Sequence, residues 1–169
     1  MTQAQITPTE GARYTRILSV GAARGDLTVP NADLIGPIDS SDEWIQQRTG
    51  IITRMRASQD ILAVDLATDA SLEAIKRSGI NAADIDLVIV ATISNTMPTP
   101  SMATLLAERI KASPAAAYDI SAACAGYAYA IAQADALIKS GVSNYALVVG
   151  RRSCPTSSVL GGIKLKKLT

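Results

Sequence analysis

The run Leu87-Val88-Ile89-Val90-Ala91 does most to limit the folds open to this chain. It is short, unbroken and rich in β-branched residues, with no alternation of apolar and polar positions. That pattern suits a parallel strand covered on both faces. Parallel strands need crossover connections, and the flanking sequence supplies helices for them. Upstream, Ala63, Ala67, Ala70 and Ala74 recur at helical spacing, with Leu66 and Ile75 on the same side. Glu73 and Arg77 stand four apart, placed to pair on the wet face. Gly79 is the expected stop, and residues 81–84 make a turn. Downstream, Met97-Pro98-Thr99-Pro100 cannot be helical through its prolines. Ser101 then caps a helix expected over 102–111.

The remainder continues the alternation. Residues 15–22 read as a first strand ending near Gly21, and residues 25–37 as a loop with turn residues. Ser40, with Glu43 three positions on, fits a capping box. A short helix through Trp44, Ile45 and Arg48 should stop at Gly50, before a short strand over 51–55. A buried strand around Tyr118, a helix from Cys124 to Gly141 and a last strand over 145–149 complete the series. The order β-α-β-α-β-α-β predicts an α/β domain over 13–150, with a mainly parallel mixed sheet covered by helices. Crossovers should be right-handed. Residues 1–12 read as a mobile leader, and 151–169 as a divergent, solvated tail.

Composition removes several function classes. Apolar residues make up 48% of the 169 and charged residues 18%, a core-rich globular balance. Sixteen basic and fifteen acidic residues leave a net charge of +1, so charge gives no case for nucleic acid or a membrane surface. No apolar run reaches the length of a membrane span, and the polar start of the chain lacks a signal core, which predicts a cytoplasmic protein. Cys124 and Cys154 are the only cysteines, and neither forms a Cys-x-x-Cys pair, so disulfide scaffolds and zinc sites are not expected. The chain has no Phe and no His. The first leaves the core to Ala, Ile, Leu and Val. The second removes the usual base of a Cys–His or Ser–His pair.

Within this frame Cys124 is the candidate nucleophile. The stretch Asp119-Ile120-Ser121-Ala122-Ala123-Cys124-Ala125-Gly126-Tyr127 places it where a strand turns into a helix. Unpaired backbone N–H groups and the positive end of the macrodipole favour thiolate there. Ala122, Ala123, Ala125 and Gly126 leave room for a substrate. The alternative is a cysteine packed as a small hydrophobe.

Several motifs line up in order: Asp39-Ser40-Ser41-Asp42-Glu43-Trp44-Ile45, Arg48-Thr49-Gly50-Ile51, the Cys124 stretch, and Tyr145-Ala146-Leu147-Val148-Val149-Gly150. Together they resemble β-ketoacyl-acyl-carrier-protein synthase III, of the thiolase-like superfamily, over roughly residues 14–150. The resemblance implies an acyltransferase that starts type II fatty acid synthesis. Its substrates would be acyl-CoA and malonyl-acyl carrier protein, its working form a homodimer, and it would use no metal and no cofactor beyond the coenzyme A thioester itself. It implies that Cys124 carries the acyl group, that Trp44 stacks on the coenzyme adenine beside Arg48, and that Ser40 and Thr49 contact the coenzyme. It implies that Thr99 shapes the acyl pocket of the neighbouring subunit. Each residue also has a simpler role: Trp44 in the core of a short helix, Arg48 in a surface ion pair, Ser40 as a helix cap, Thr99 in a proline-flanked turn.

The family's duplicated fold is matched in its first half only. The His and Asn that drive decarboxylation, and the glycine N–H that helps bind the oxyanion, belong to the second half. The family's Asp-Arg segment after Gly150 is absent; Arg151 and Arg152 come too early for its arginine. A second reading is therefore a truncated, non-catalytic piece that at most binds coenzyme A or self-associates, with exposed apolar surface that favours pairing. A nucleotide-binding α/β domain is disfavoured, because Gly21-Ala22-Ala23-Arg24-Gly25 lacks the spacing of a phosphate loop.

Overall fold

A computed structural model describes residues 11–35, 39–93, 95, 97, 99–112, 115–151 and 158–168. The chain runs β1 (Tyr14–Val20), β2 (Ala23–Arg24), β3 (Leu27–Pro30), α1 (Ala32–Ile35), α2 (Asp42–Thr49), β4 (Thr53–Arg56), α3 (Ala63–Ser78), β5 (Leu87–Ala91), α4 (Met102–Arg109), β6 (Ala116–Ile120), α5 (Gly126–Lys139), β7 (Tyr145–Arg151) and β8 (Ser158–Leu168). Single 3₁₀ turns at Ala82–Asp84 and Ala123–Ala125 lead into β5 and α5.

The main sheet has the order β1-β8-β7-β5-β6, with β2 paired to β8. β5 pairs in parallel with both β6 and β7, and all five of its residues are buried, as its composition demands. β8 is antiparallel to β1, to β2 and to β7. It follows that β1, β2, β5, β6 and β7 share one direction and β8 alone opposes them, the mainly parallel mixed sheet expected. A separate hairpin pairs β3 with β4.

Alternate side chains of the central strands feed two cores. Val88, Val90, Leu147 and Val149 meet Leu66, Ala67 and Ala70 of α3 and Ala103 and Leu106 of α4. Leu87, Ile89, Ala146 and Val148 meet Ala130, Ala134 and Ile138 of α5 on the other face. Small alanines let the helices lie close, which is how a chain without Phe fills its interior. Helix ends follow local chemistry: Gly50 and Gly79 close α2 and α3 at φ 69° and 68°, where a Cβ is disfavoured.

Four expectations need correction. Residues 27–30, expected in a loop, form β3; antiparallel pairing with β4 overrides the turn signals, and Pro30 sits at the strand's end, where a missing N–H is tolerated. The cap of α2 is Ser41, whose Oγ accepts from Trp44 N at 3.2 Å, so the capping box at Ser40 and Glu43 is off by one residue. Ala12 is buried against α5 and so belongs to the domain and not to a mobile leader; residues 1–10 and Cys154 lie outside the described residues. Finally, 158–168 is no solvated tail: it is β8, hydrogen-bonded on both edges. Its backbone completes β1 and β7, each of which would otherwise carry open N–H and C=O groups.

The outer helices are tied down by carboxylates. Asp135 of α5 accepts from Thr15 Oγ1 at 2.5 Å and from Lys139 Nζ at 2.9 Å, and these two partners, the hydroxyl first, hold it below its ordinary 3.8. The Arg109 guanidinium does the same for Asp65, joining α4 to α3. A depressed carboxylate contributes stability above its unfolded value and loses it as pH falls through the folded one. Acid unfolding should therefore set in below pH 3.8. The destabilisation of Asp135→Asn relative to the parent, read by urea midpoints, should be present near neutral pH and vanish at the acid end. A difference that persisted there would exclude this linkage.

Candidate active site

Cys124 lies in the turn between β6 and α5, two residues before Gly126 opens the helix. Its side chain is exposed and its thiol is free, so it is not a packed core cysteine. The turn is built from tight contacts on small residues. Ala123 carries φ 44°, a left-handed conformation that costs a non-glycine residue about 1–2 kcal/mol. Such strain is held only where the surroundings over-determine it, and it clusters at functional turns. Gly126 is one such constraint: a Cβ there would stand 3.3 Å from Ala91 Cβ, so glycine lets the first turn of α5 press on the end of β5. Tyr127 comes next, its ring lying against Gly150 at the end of β7, where an added Cβ would stand 2.7 Å from Cδ2. Burial pushes the Tyr127 phenol up to about 12, so it stays protonated at neutral pH.

Asp119, near the end of β6 on the strand side of this turn, holds the start of α4. Its carboxylate accepts from Met102 N and Ala103 N, both at 2.8 Å, and from Asn95 Nδ2 at 3.2 Å. Ser101 Oγ accepts from Thr104 N at 3.1 Å, so the first three amides of α4 all have partners. Sequence reading gave Asp119 no role. The available signal was a carboxylate at the end of an otherwise apolar strand, which demands a donor.

The remaining candidates gather on α2. Trp44 is 54% exposed, while Ile45 beside it is 7% exposed and makes the helix's core contact. Trp44 is therefore no core residue. Arg48 makes none of the ion pairs found among the described residues; its guanidinium lies over the Trp44 ring, 5.6 Å from the centroid. Thr49 Oγ1 donates to Ile45 O at 2.6 Å and accepts from Ile51 N at 3.1 Å, so its hydroxyl helps to close the helix. Ser40 Oγ is buried without a partner. The base of α2 is pinned by Asn31, which is 1% exposed and was missed in the sequence. Asn31 Nδ2 donates to Asp42 Oδ1 at 2.6 Å and to Ile51 O at 2.8 Å, and its Oδ1 accepts from Arg54 Nη2 at 2.8 Å. Thr99 is exposed in the loop before α4. The structure thus brings Ser40, Trp44, Arg48 and Thr49 together on one short helix and its leading turn, and sets Cys124 and Thr99 on separate segments. Among the described residues no cluster of His, Cys, Asp and Glu is arranged to hold a metal, and no helix is long and apolar enough to cross a membrane.

Known proteins resemble this chain in sequence and fold. Residues 45–160 match the family model described as thiolase, N-terminal domain. β-Ketoacyl-[acyl-carrier-protein] synthase III of Kocuria rhizophila is 52% identical over 137 residues, which is 81% of this chain and 39% of that protein. The enzyme of the same name from Tropheryma whipplei is 53% identical over 138 residues, 82% of this chain and 43% of that one. Among solved structures, the priming β-ketosynthase of the R1128 polyketide pathway superposes with a TM-score of 0.86 at 31% identity, covering 97% of this chain and 53% of its own. The synthase III of Aquifex aeolicus gives 0.84 at 33% identity, covering 91% and 54%. The chain spans less than half the length of these curated relatives. The fold, the matched domain and the identity to these synthases agree: the chain belongs to the thiolase family, as an N-terminal domain of the β-ketoacyl-acyl-carrier-protein synthase III type.

Proposed function

We propose that Cys124 takes an acyl group from a coenzyme A thioester, the loading half of a synthase III reaction. The observation that carries this reading is the exposed thiol held on a strained turn at the entrance to α5. The Cys124 sulfur attacks the thioester carbonyl, a new C–S bond forms, the bond to the coenzyme sulfur breaks, and the coenzyme leaves as a thiol carrying the proton. Covalent transfer divides one hard step into two easier ones. The exposed Trp44 ring, with Arg48 over it, offers a face for the coenzyme's purine. In the complete reaction the acyl group would leave Cys124 for C2 of malonyl-acyl carrier protein, with the malonyl carboxyl departing as CO2 and Cys124 released as the thiolate. Carrier protein is then a partner, and likeness to the family adds a second copy of the chain and a cytoplasmic setting. Thr99 would reach the acyl pocket of that second copy. The chain contains no His, so the decarboxylating step is not assigned to its residues.

Incubation with acetyl-CoA followed by intact-mass measurement tests the loading step. One acetyl adduct per chain is expected, absent in Cys124→Ala. No adduct, or one that survives the substitution, removes the claim. The missing histidine favours a second reading, binding without chemistry. In that case coenzyme A affinity falls on Trp44→Ala while no adduct forms on the parent chain.

A further inference from the structure

We infer that Asn31 is the positioning residue of the coenzyme face: it fixes the tilt of α2 and so holds Trp44 and Arg48 where a purine can stack. This rests on the purine-stacking reading of Trp44 given above. With about 3.6 residues per turn, Asp42, Ile45, Gln46 and Thr49 fall on one side of α2, and Trp44 and Arg48 on the other. Apolar packing anchors the inner side thinly, because Ile45 is the one buried residue of the helix. The hydrogen bonds of Ser41 Oγ and Thr49 Oγ1 run within α2 and its ends. They shape the helix without fixing its tilt. A short helix held by a single buried side chain can rock about it.

Asn31 removes that freedom at both ends. Its Nδ2 donates to Asp42 Oδ1 at 2.6 Å, on the first residue of α2, and to Ile51 O at 2.8 Å, just past the last. Asn31 cannot easily yield. It is 1% exposed, its N donates to Ile52 O at 3.3 Å, and its O accepts from Leu34 N at 2.9 Å. Its Oδ1 accepts from Arg54 Nη2 at 2.8 Å, which ties the amide to β4. The sense of the amide is forced. Gln46 and Asn31, in that order, hold Asp42 below its ordinary 3.8, so its carboxylate only accepts at neutral pH, as does the Ile51 carbonyl. The guanidinium only donates, so a flipped amide would lose all three bonds. Aspartate of the same shape would keep Arg54 but set its charge against Asp42 and the Ile51 carbonyl. Arg48 stays over Trp44 whatever the tilt, since both ride on one helix. What Asn31 decides is where the pair faces. A rocking helix spends part of its time turned away, and apparent affinity falls by the fraction of time it is competent.

The test measures coenzyme A binding by the full chain together with the fluorescence anisotropy of Trp44, its only tryptophan. Asn31→Asp should weaken binding about tenfold, the scale of one lost hydrogen bond to a charged group. It should also lower Trp44 anisotropy in the free chain. Asp42→Ala cuts the same contact from the helix side and leaves the buried Asn31 in place, so it serves where Asn31→Asp does not fold. It should shift both readouts in the same direction. In a Trp44→Ala background Asp42→Ala should weaken binding no further, since the two act through one contact. No binding by the parent, or binding by Trp44→Ala as tight as the parent's, would sink the purine reading and the proposal with it. If Trp44→Ala binds more weakly, three results would overturn the positioning role alone: parent-like affinity in the folded clamp variants, parent-like Trp44 anisotropy in them, or a full further loss in the double variant.

Discussion

Gly21→Ala is expected to lower stability by about 3 kcal/mol, the upper end of what overpacking normally costs. The reason is where β1 ends. A Cβ on Gly21 would stand 2.1 Å from Ala70 O and 2.5 Å from Ala74 N, both backbone atoms of α3. Backbone at the middle of a helix cannot swing aside as a side chain can, so strand and helix must separate. The contacts that fix this junction then stretch together: Arg77 Nη1 to Val20 O at 2.9 Å, Ala22 N to Glu73 Oε2 at 2.7 Å, and Ser19 Oγ to Ala74 O at 2.6 Å. Gly50→Ala is the control. Its site has φ 69° and open space around it, so only the conformational cost applies, about 1 kcal/mol. Urea unfolding of the two variants should separate them clearly. Equal midpoints would show that Gly21 is not the close contact between β1 and α3.

The same junction shows what the sequence disclosed and what it withheld. Gly21 could be read as the end of a strand, because glycine punctuates local structure. Its closeness to Ala70, forty-nine positions away, has no local trace. The elements that were legible are those whose signal is local or periodic. The alanine stripe of α3, the unbroken apolar run of β5, Ser101 as the cap of α4 and Gly50 as the stop of α2 all follow from composition at fixed spacing. The elements that were not legible owe their form to distant partners. β3 exists because β4 pairs with it. β8 exists because two strands leave a slot, and its lysines argue locally for solvent. The site divides the same way. Cys124 at a strand-to-helix turn was visible from the flanking patterns, and the exposure of Trp44 excludes the core role that sequence left open for it. The φ of 44° at Ala123 was invisible, because alanine gives no hint of a left-handed turn.

Asp119→Ala should cost about 2–3 kcal/mol, since one carboxylate there satisfies several donors and hydrogen bonds to a charged group are the stronger kind. Two of those donors are Met102 N and Ala103 N at the start of α4, where the helix has no internal acceptors and the macrodipole favours negative charge. The third, Asn95 Nδ2, lies on the segment that links β5 to α4. Asp119→Asn keeps one acceptor oxygen but turns an amide donor towards a backbone N–H, so it should fall between Ala and the parent. The loss should also be local before it is global. Amides of 102–104 should exchange faster in Asp119→Ala than those of β5, because the substitution removes a side-chain acceptor of α4 and no backbone group of the β5–β6 ladder, in which Asp119 is in register with Val90. Because Asp119 lies five residues before Cys124 on the same strand-to-turn path, alkylation of the thiol reports whether the brace reaches the nucleophile. An altered alkylation rate in a variant that still unfolds cooperatively would mean that Asp119 positions the Cys124 turn. An unchanged rate, with faster exchange confined to α4, would restrict Asp119 to capping that helix.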